Sequence, residues 1–146
     1  MKRLLFLLLV GLLCTSLVPS GHGGPAPARI LTAAQELDEN VKRMELKTFL
    51  PKLAELLQLN AEQVENALVE RKISFSRLAL VKLVADKSSA ELAKLLETSD
   101  FDPIKMLQSA QVSLNDALER LDSLYSDVAL LRIDRRAPAK SVAKRK

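Results

Sequence analysis

From Thr48 to Leu131 the apolar residues recur at steps of three and four, the spacing that puts one stripe along a helix. Leu50, Leu53 and Leu56/Leu57 make a first face, with Pro51 in a position read as a first turn, where proline is tolerated. Asn60 is a good N-cap for a second helix carrying Val64, Ala67 and Leu68. Ser74 or Ser76 opens a third, with Leu78, Val81 and Val84/Ala85, and Ser88 is expected to cap a fourth, with Leu92 and Leu95/Leu96. Asp102 followed by Pro103 opens a fifth. The last and longest helix is predicted from about Ser113 to Ile133, its stripe running Leu114, Ala117/Leu118, Leu121, Leu124/Tyr125, Val128, Leu131. Upstream, Ile30, Ala33/Ala34, Leu37, Val41 and Met44 keep the same rhythm but with few large side chains, so residues 29–47 read as an N-terminal helix or a linker before a helical domain at 48–133.

An offset of 28 aligns part of this pattern with itself. Leu50, Leu53, Leu56, Asn60, Val64, Leu68, Ile73 and Leu78 fall on Leu78, Val81, Val84, Ser88, Leu92, Leu96, Phe101 and Met106, so that caps lie on caps and apolar residues on apolar residues. The predicted fold class is therefore all-α: short helical hairpins, with a possible 28-residue duplication, closed by a long C-terminal amphipathic helix. Two units fall short of the three or more that a free solenoid needs, and the long helix is the natural cover for their apolar edge.

Composition sharpens this. All four glycines lie in the first 24 residues, and a β-rich or dinucleotide-binding domain without glycine is a poor prospect. The single cysteine, Cys14, and the single histidine, His22, lie in the same stretch, so the body beyond it holds no thiol and no imidazole, and no zinc or other cofactor is expected. That stretch has its own character. Met1-Lys2-Arg3 is positive, Leu4 to Val18 is an apolar run too short for a membrane span, and residues 19–28 are rich in Pro, Gly and Ala. This is the anatomy of a secretory signal peptide, with cleavage somewhere in 16–28 and a secreted or periplasmic product. A lipid anchor at Cys14 is disfavoured by the bulky Leu13 before it.

Charge divides the remainder. From Arg132 onward seven basic residues stand against Asp134, a net of +6, whereas the preceding body is about −4. Residues 134–146, with Pro138 and four small residues, read as a basic disordered tail. Clustered Lys and Arg attract polyanions, which makes Arg135, Arg136, Lys140, Lys144, Arg145 and Lys146 candidates for contact with an anionic surface.

The segment Leu53–Leu68 has the spacing of a helix-turn-helix, but its second helix would carry Glu62, Glu65 and Glu70 toward phosphate, which opposes sequence-specific DNA binding. Continued through Ile73-Ser74-Phe75-Ser76-Arg77 and Asp86-Lys87-Ser88-Ser89 to Asp100-Phe101, residues 50–107 resemble small exported bacterial helical proteins of unknown function. The resemblance implies a helical fold and an envelope setting, and no activity. Carboxylates pair at Asp100/Asp102 and at Asp116/Glu119/Asp122, where helix capping and a solvated face account for them without catalysis. Dibasic pairs such as Lys42-Arg43 and Arg71-Lys72 sit in or beside predicted helices, which makes solvated bases the simpler account than peptide release.

The sequence thus predicts a non-enzymatic exported module that binds another protein or a second copy of itself, the alternative being an envelope-surface or polyanion binder acting through the tail. The C-terminal stripe is about five turns long, longer than a three-turn hairpin helix can cover. Its centre, Leu121, Tyr125 and Val128, is the expected interaction surface.

Overall fold

The computed structural model describes residues 25–134. They form α1 (Ala26–Lys42), α2 (Leu46–Leu57), α3 (Ala61–Glu65) continuing into a π-helical turn (Asn66–Glu70), α4 (Phe75–Ser88), α5 (Leu92–Leu96), α6 (Pro103–Ser109) and α7 (Leu114–Asp134). No strand occurs among the described residues, and none of their helices is long and apolar enough to cross a membrane. The signal-peptide reading of residues 1–24 lies outside them.

The predicted caps at Asn60, Ser74 and Asp102 are present. Asn60 Oδ1 accepts from the Gln63 N–H at 2.7 Å while Gln63 Oε1 accepts from the Asn60 N–H at 3.1 Å, a reciprocal capping box. Ser74 Oγ accepts from the Arg77 N–H, and Asp102 Oδ1 takes the N–H groups of Ile104 and Lys105. At the other ends the missing glycines matter. Gln58, Lys72, Ser89 and Gln111 all sit at φ between 52° and 57°, the left-handed region that a Cβ disfavours. After Gln58 the Leu59 N–H reaches back to the Ala54 carbonyl at 2.9 Å, and after Gln111 the Val112 N–H reaches the Leu107 carbonyl at 2.9 Å. These bonds satisfy carbonyls that the helix ends leave open.

Three expectations are corrected. Pro51 lies inside α2, beyond its first turn, because the helix begins earlier, at Leu46. The Lys47 carbonyl that loses its partner there belongs to an exposed residue, so water can satisfy it. Ser88 caps nothing: it is the last residue of α4, its hydroxyl donates to the Val84 carbonyl at 2.7 Å, and α5 starts four residues later without a side-chain cap. The caps of the two 28-residue units therefore do not superpose, and what they share is only a longer helix followed by a short one. Residues 29–47 are mostly α1, and Ile30 and Leu37 are wholly buried, so this segment is part of the core rather than a lead-in to it.

Side-chain contacts orient the long helices. Asp38 in α1 bonds Ser76 at the start of α4, Lys87 at the end of α4 pairs with Asp116 at the start of α7 at 3.5 Å, and Arg132 near the end of α7 donates to Asn40 near the end of α1 at 2.6 Å. Thus α4 runs antiparallel to α1 and α7, which run parallel to each other and end on the same side of the molecule. Their facing stripes, with Ile30 and Leu37 from α1, Leu78, Val81 and Val84 from α4, and Leu121, Leu124 and Val128 from α7, supply the centre of one aliphatic core. The Arg120 guanidinium ties α2 to this layer by donating to the Leu56 carbonyl at 2.6 Å.

Candidate docking end

The inner stripe of α7 is not a surface. Leu121 and Val128, expected at the centre of an interaction seam, are wholly buried in the core that α7 shares with α1 and α4. Only Tyr125 of that expected trio remains accessible, at 40% exposure. It lines a shallow cleft with Thr32, Gln35, Glu36, Glu39 and Arg43 on the outer side of α1.

A second apolar strip is present on the same helix. Tyr125, Ala129 and Ile133 follow one another at steps of four, with Leu130 beside them, so they share the outer face over the last three turns. Leu130 and Ile133 are each 63% exposed, the most exposed large apolar side chains among the described residues. Sequence reading counted neither as a surface because both lie off the three–four stripe; their offset from that stripe was the signal.

The end of the bundle around them carries charges of both signs, with Asp134 adjoining Ile133. Lys42 and Arg43 close α1, Lys42 borders a largely apolar hollow of about 400 Å³ together with Lys72, and Arg132 bonds Asn40 on the neighbouring turn. Asp38 and Glu39 share this end but are engaged: Asp38 holds Ser76, and Glu39 pairs with Lys42 at 2.8 Å. That pair lowers the Glu39 pKa and raises that of Lys42 through their mutual hydrogen bond and charge, although both are solvent-exposed. The basic candidates Arg135, Arg136, Lys140, Lys144, Arg145 and Lys146 lie outside the described residues.

Two polar arrangements went unforeseen. Ser76 is a buried polar residue, 4% exposed, whose N–H and hydroxyl donate to the two Asp38 carboxylate oxygens at 2.8 and 2.7 Å. Asp38 thereby meets the positive end of α4 as well as satisfying Ser76. On the other side of α4, Arg77 lies 4.4 Å above the Phe101 ring and donates to the Thr98 carbonyl at 2.7 Å, while Arg71 donates to the Leu96 carbonyl at 3.3 Å. Burial, and secondarily the Arg71 charge, push the Arg77 pKa down from its ordinary value, and its buried Nε has no acceptor. Arginine at a helix C-terminus, where carbonyls are left open, is a device for holding the chain after α5.

The acidic pairs resolve individually. Asp102 is the cap of α6, Asp116 pairs with Lys87, and no group of three His, Cys, Asp or Glu among the described residues is placed to hold a metal ion. Glu62, Glu65 and Glu70 line one wall of a cleft of about 590 Å³ between α3 with its π-helical turn and α5, opposite Leu92, Ala93 and Leu96. Comparison of the chain with protein-family models, with curated proteins and with solved structures gives no match.

Proposed function

We propose that this chain is a non-enzymatic helical docking module of an exported compartment, and that it docks through the outer face of α7 near its C-terminal end. The observation that carries the reading is the pairing of a filled inner stripe with an open outer strip on one helix: Leu121 and Val128 are core, whereas Leu130 and Ile133 face solvent. Large aliphatic side chains adjacent on one face and left in water beside a finished core contribute little to folding, which supports a contact surface there. Export is supported by the charged start, short apolar run and Pro/Gly exit of residues 1–28.

Two occupants fit such a strip. A helix of another chain, including a second copy, matches the helical spacing of Tyr125, Ala129 and Ile133. An anionic envelope surface matches the basic residues that begin at Arg135, immediately after the strip. The test of the docking reading is a Leu130→Ser/Ile133→Ser variant, which should keep the wild-type helical circular dichroism and thermal midpoint while losing retention of the chain on envelope fractions. Loss of fold in this variant would make the strip structural and remove the reading.

A further inference from the structure

We infer that the hollow between the end of α1 and the π-helical turn binds the hydrocarbon chain of a medium-chain fatty acid, whose carboxylate head lies on Lys72. None of the outer-strip residues of α7 lines this hollow, so the inference goes beyond the docking reading and does not depend on it. Its walls come from segments that diverge. Val41 and Met44 stand at the end of α1, Leu46 opens α2, and Leu68, Ile73 and Phe75 lead from the π-helical turn into α4. Met44, Ile73 and Phe75 are buried and fixed by the core, whereas Val41, Leu46 and Leu68 are half-buried and leave apolar surface that a chain would cover. The space is about 400 Å³, within the range of about 300–1,000 Å³ typical of small-molecule sites, and such sites pair apolar walls with a few polar groups.

The polar groups decide which kind of chain fits. Three ionisable side chains border the hollow: Asp38, Lys42 and Lys72. Two of them are already answered. Both Asp38 carboxylate oxygens accept from Ser76, and Lys42 pairs with Glu39 at 2.8 Å. The Lys72 ammonium makes no ion pair or hydrogen bond among the described residues, and it is exposed at the edge of the apolar wall. A lysine stem can lie along such a wall while its head stays in water, ready to meet an anion there. A neutral amphiphile leaves that charge unanswered, and a cationic one is repelled by it. The Asp38 and Glu39 carboxylates nearby disfavour the near-double charge of a phosphate monoester, so a single negative charge suits the mouth best.

Decanoate is the probe, titrated at neutral pH into the isotope-labelled full chain. Because the apolar run Leu4–Val18 can take up hydrocarbon by itself, the site is read from nuclear Overhauser contacts as well as from affinity. Contacts from the decanoate methylenes should fall on Met44, Leu46 and Ile73, with saturable shifts of their amide signals. Shortening the probe to octanoate should weaken binding about tenfold, since two methylenes leave the wall. Decanol should bind about threefold more weakly than decanoate, and decyltrimethylammonium more weakly still. Lys72→Gln should keep the helical circular dichroism and erase the preference for decanoate over decanol. Leu46→Ser should weaken both probes about tenfold. Should that variant unfold, the contacts in wild type decide by themselves.

The inference is overturned if decanoate contacts fall on Leu130 and Ile133, or on none of the described residues. Equal affinity of wild type for decanoate and decanol overturns it as well, as does a decanoate preference that survives Lys72→Gln, because the head group would then not be read by this lysine. The Leu130→Ser/Ile133→Ser variant should bind decanoate as wild type does, so failure here leaves the docking reading standing, and failure of that reading leaves this one.

Discussion

The α1–α4–α7 layer and the stretch from α5 to Phe101 are both helical, yet different forces hold them. The layer is joined by facing aliphatic stripes from three helices, with one polar latch between them, Asp38 to the buried Ser76. In α5 only Leu96 is buried, and the turn after it is held by Arg71 and Arg77 donating to backbone carbonyls and by Arg77 stacking on Phe101. Burial distributes its stabilisation over many contacts, so the layer should fail as a unit; a cation gripping two carbonyls acts locally, so the arm should be able to open alone. A five-residue helix cannot sustain itself without such a grip, since nucleation is costly and few backbone bonds follow it.

The largest expected effect tests the layer. Leu121→Glu with Val128→Glu places two carboxylates in the aliphatic core and should cost more than about 5 kcal/mol, enough to unfold the chain in circular dichroism. Retained folding would mean that these positions can reach solvent and that the seam is a surface after all. Next comes the latch. Asp38→Ala leaves the Ser76 N–H without its acceptor and the hydroxyl with Ser74 Oγ alone, 3.2 Å away, and should lower unfolding free energy in urea by about 1–2 kcal/mol. Asp38→Asn, which keeps one acceptor, should lose less.

Arg77→Met probes the arm. It keeps a long side chain over Phe101 but removes the bonds from Arg77 to the Thr98 carbonyl at 2.7 Å and the Leu96 carbonyl at 3.5 Å, and should cost only about 1 kcal/mol globally. Amide exchange in residues 92–101 should accelerate well beyond that in α4 or α7; uniform acceleration would erase the distinction between the two regions. The smallest effect concerns helix ends that the two regions share. Gln58→Gly and Gln111→Gly relieve a left-handed Cβ and should each stabilise the fold by up to about 1 kcal/mol in urea titration, part of the gain being offset by the freer unfolded chain.

How far the sequence could be read follows from the range of the forces involved. Helix starts at Asn60, Ser74 and Asp102 were legible because a cap is a contact between residues two or three apart. The Ser88 cap was misread for the same locality: a serine hydroxyl has a carbonyl four residues back as an equally good partner, and near the end of α4 that partner won. The Asp38–Ser76 latch spans 38 positions and the Arg132–Asn40 bond 92, and no periodicity encodes either. The proposed docking end was half legible. Its basic residues are plain in the composition, but Leu130 and Ile133 were masked by the stronger stripe on the same helix.

By itself the sequence determined that the described body is helical, where several helices begin, and that aliphatic residues would form the core, because these follow from local hydrogen bonds and from a period of 3.6. Only the tertiary structure decided which apolar stripe is inside. A helix with two apolar faces offers either to its neighbours, and the choice fell when α7 packed against α1 and α4 with Leu121 and Val128 inside, leaving Leu130 and Ile133 in water.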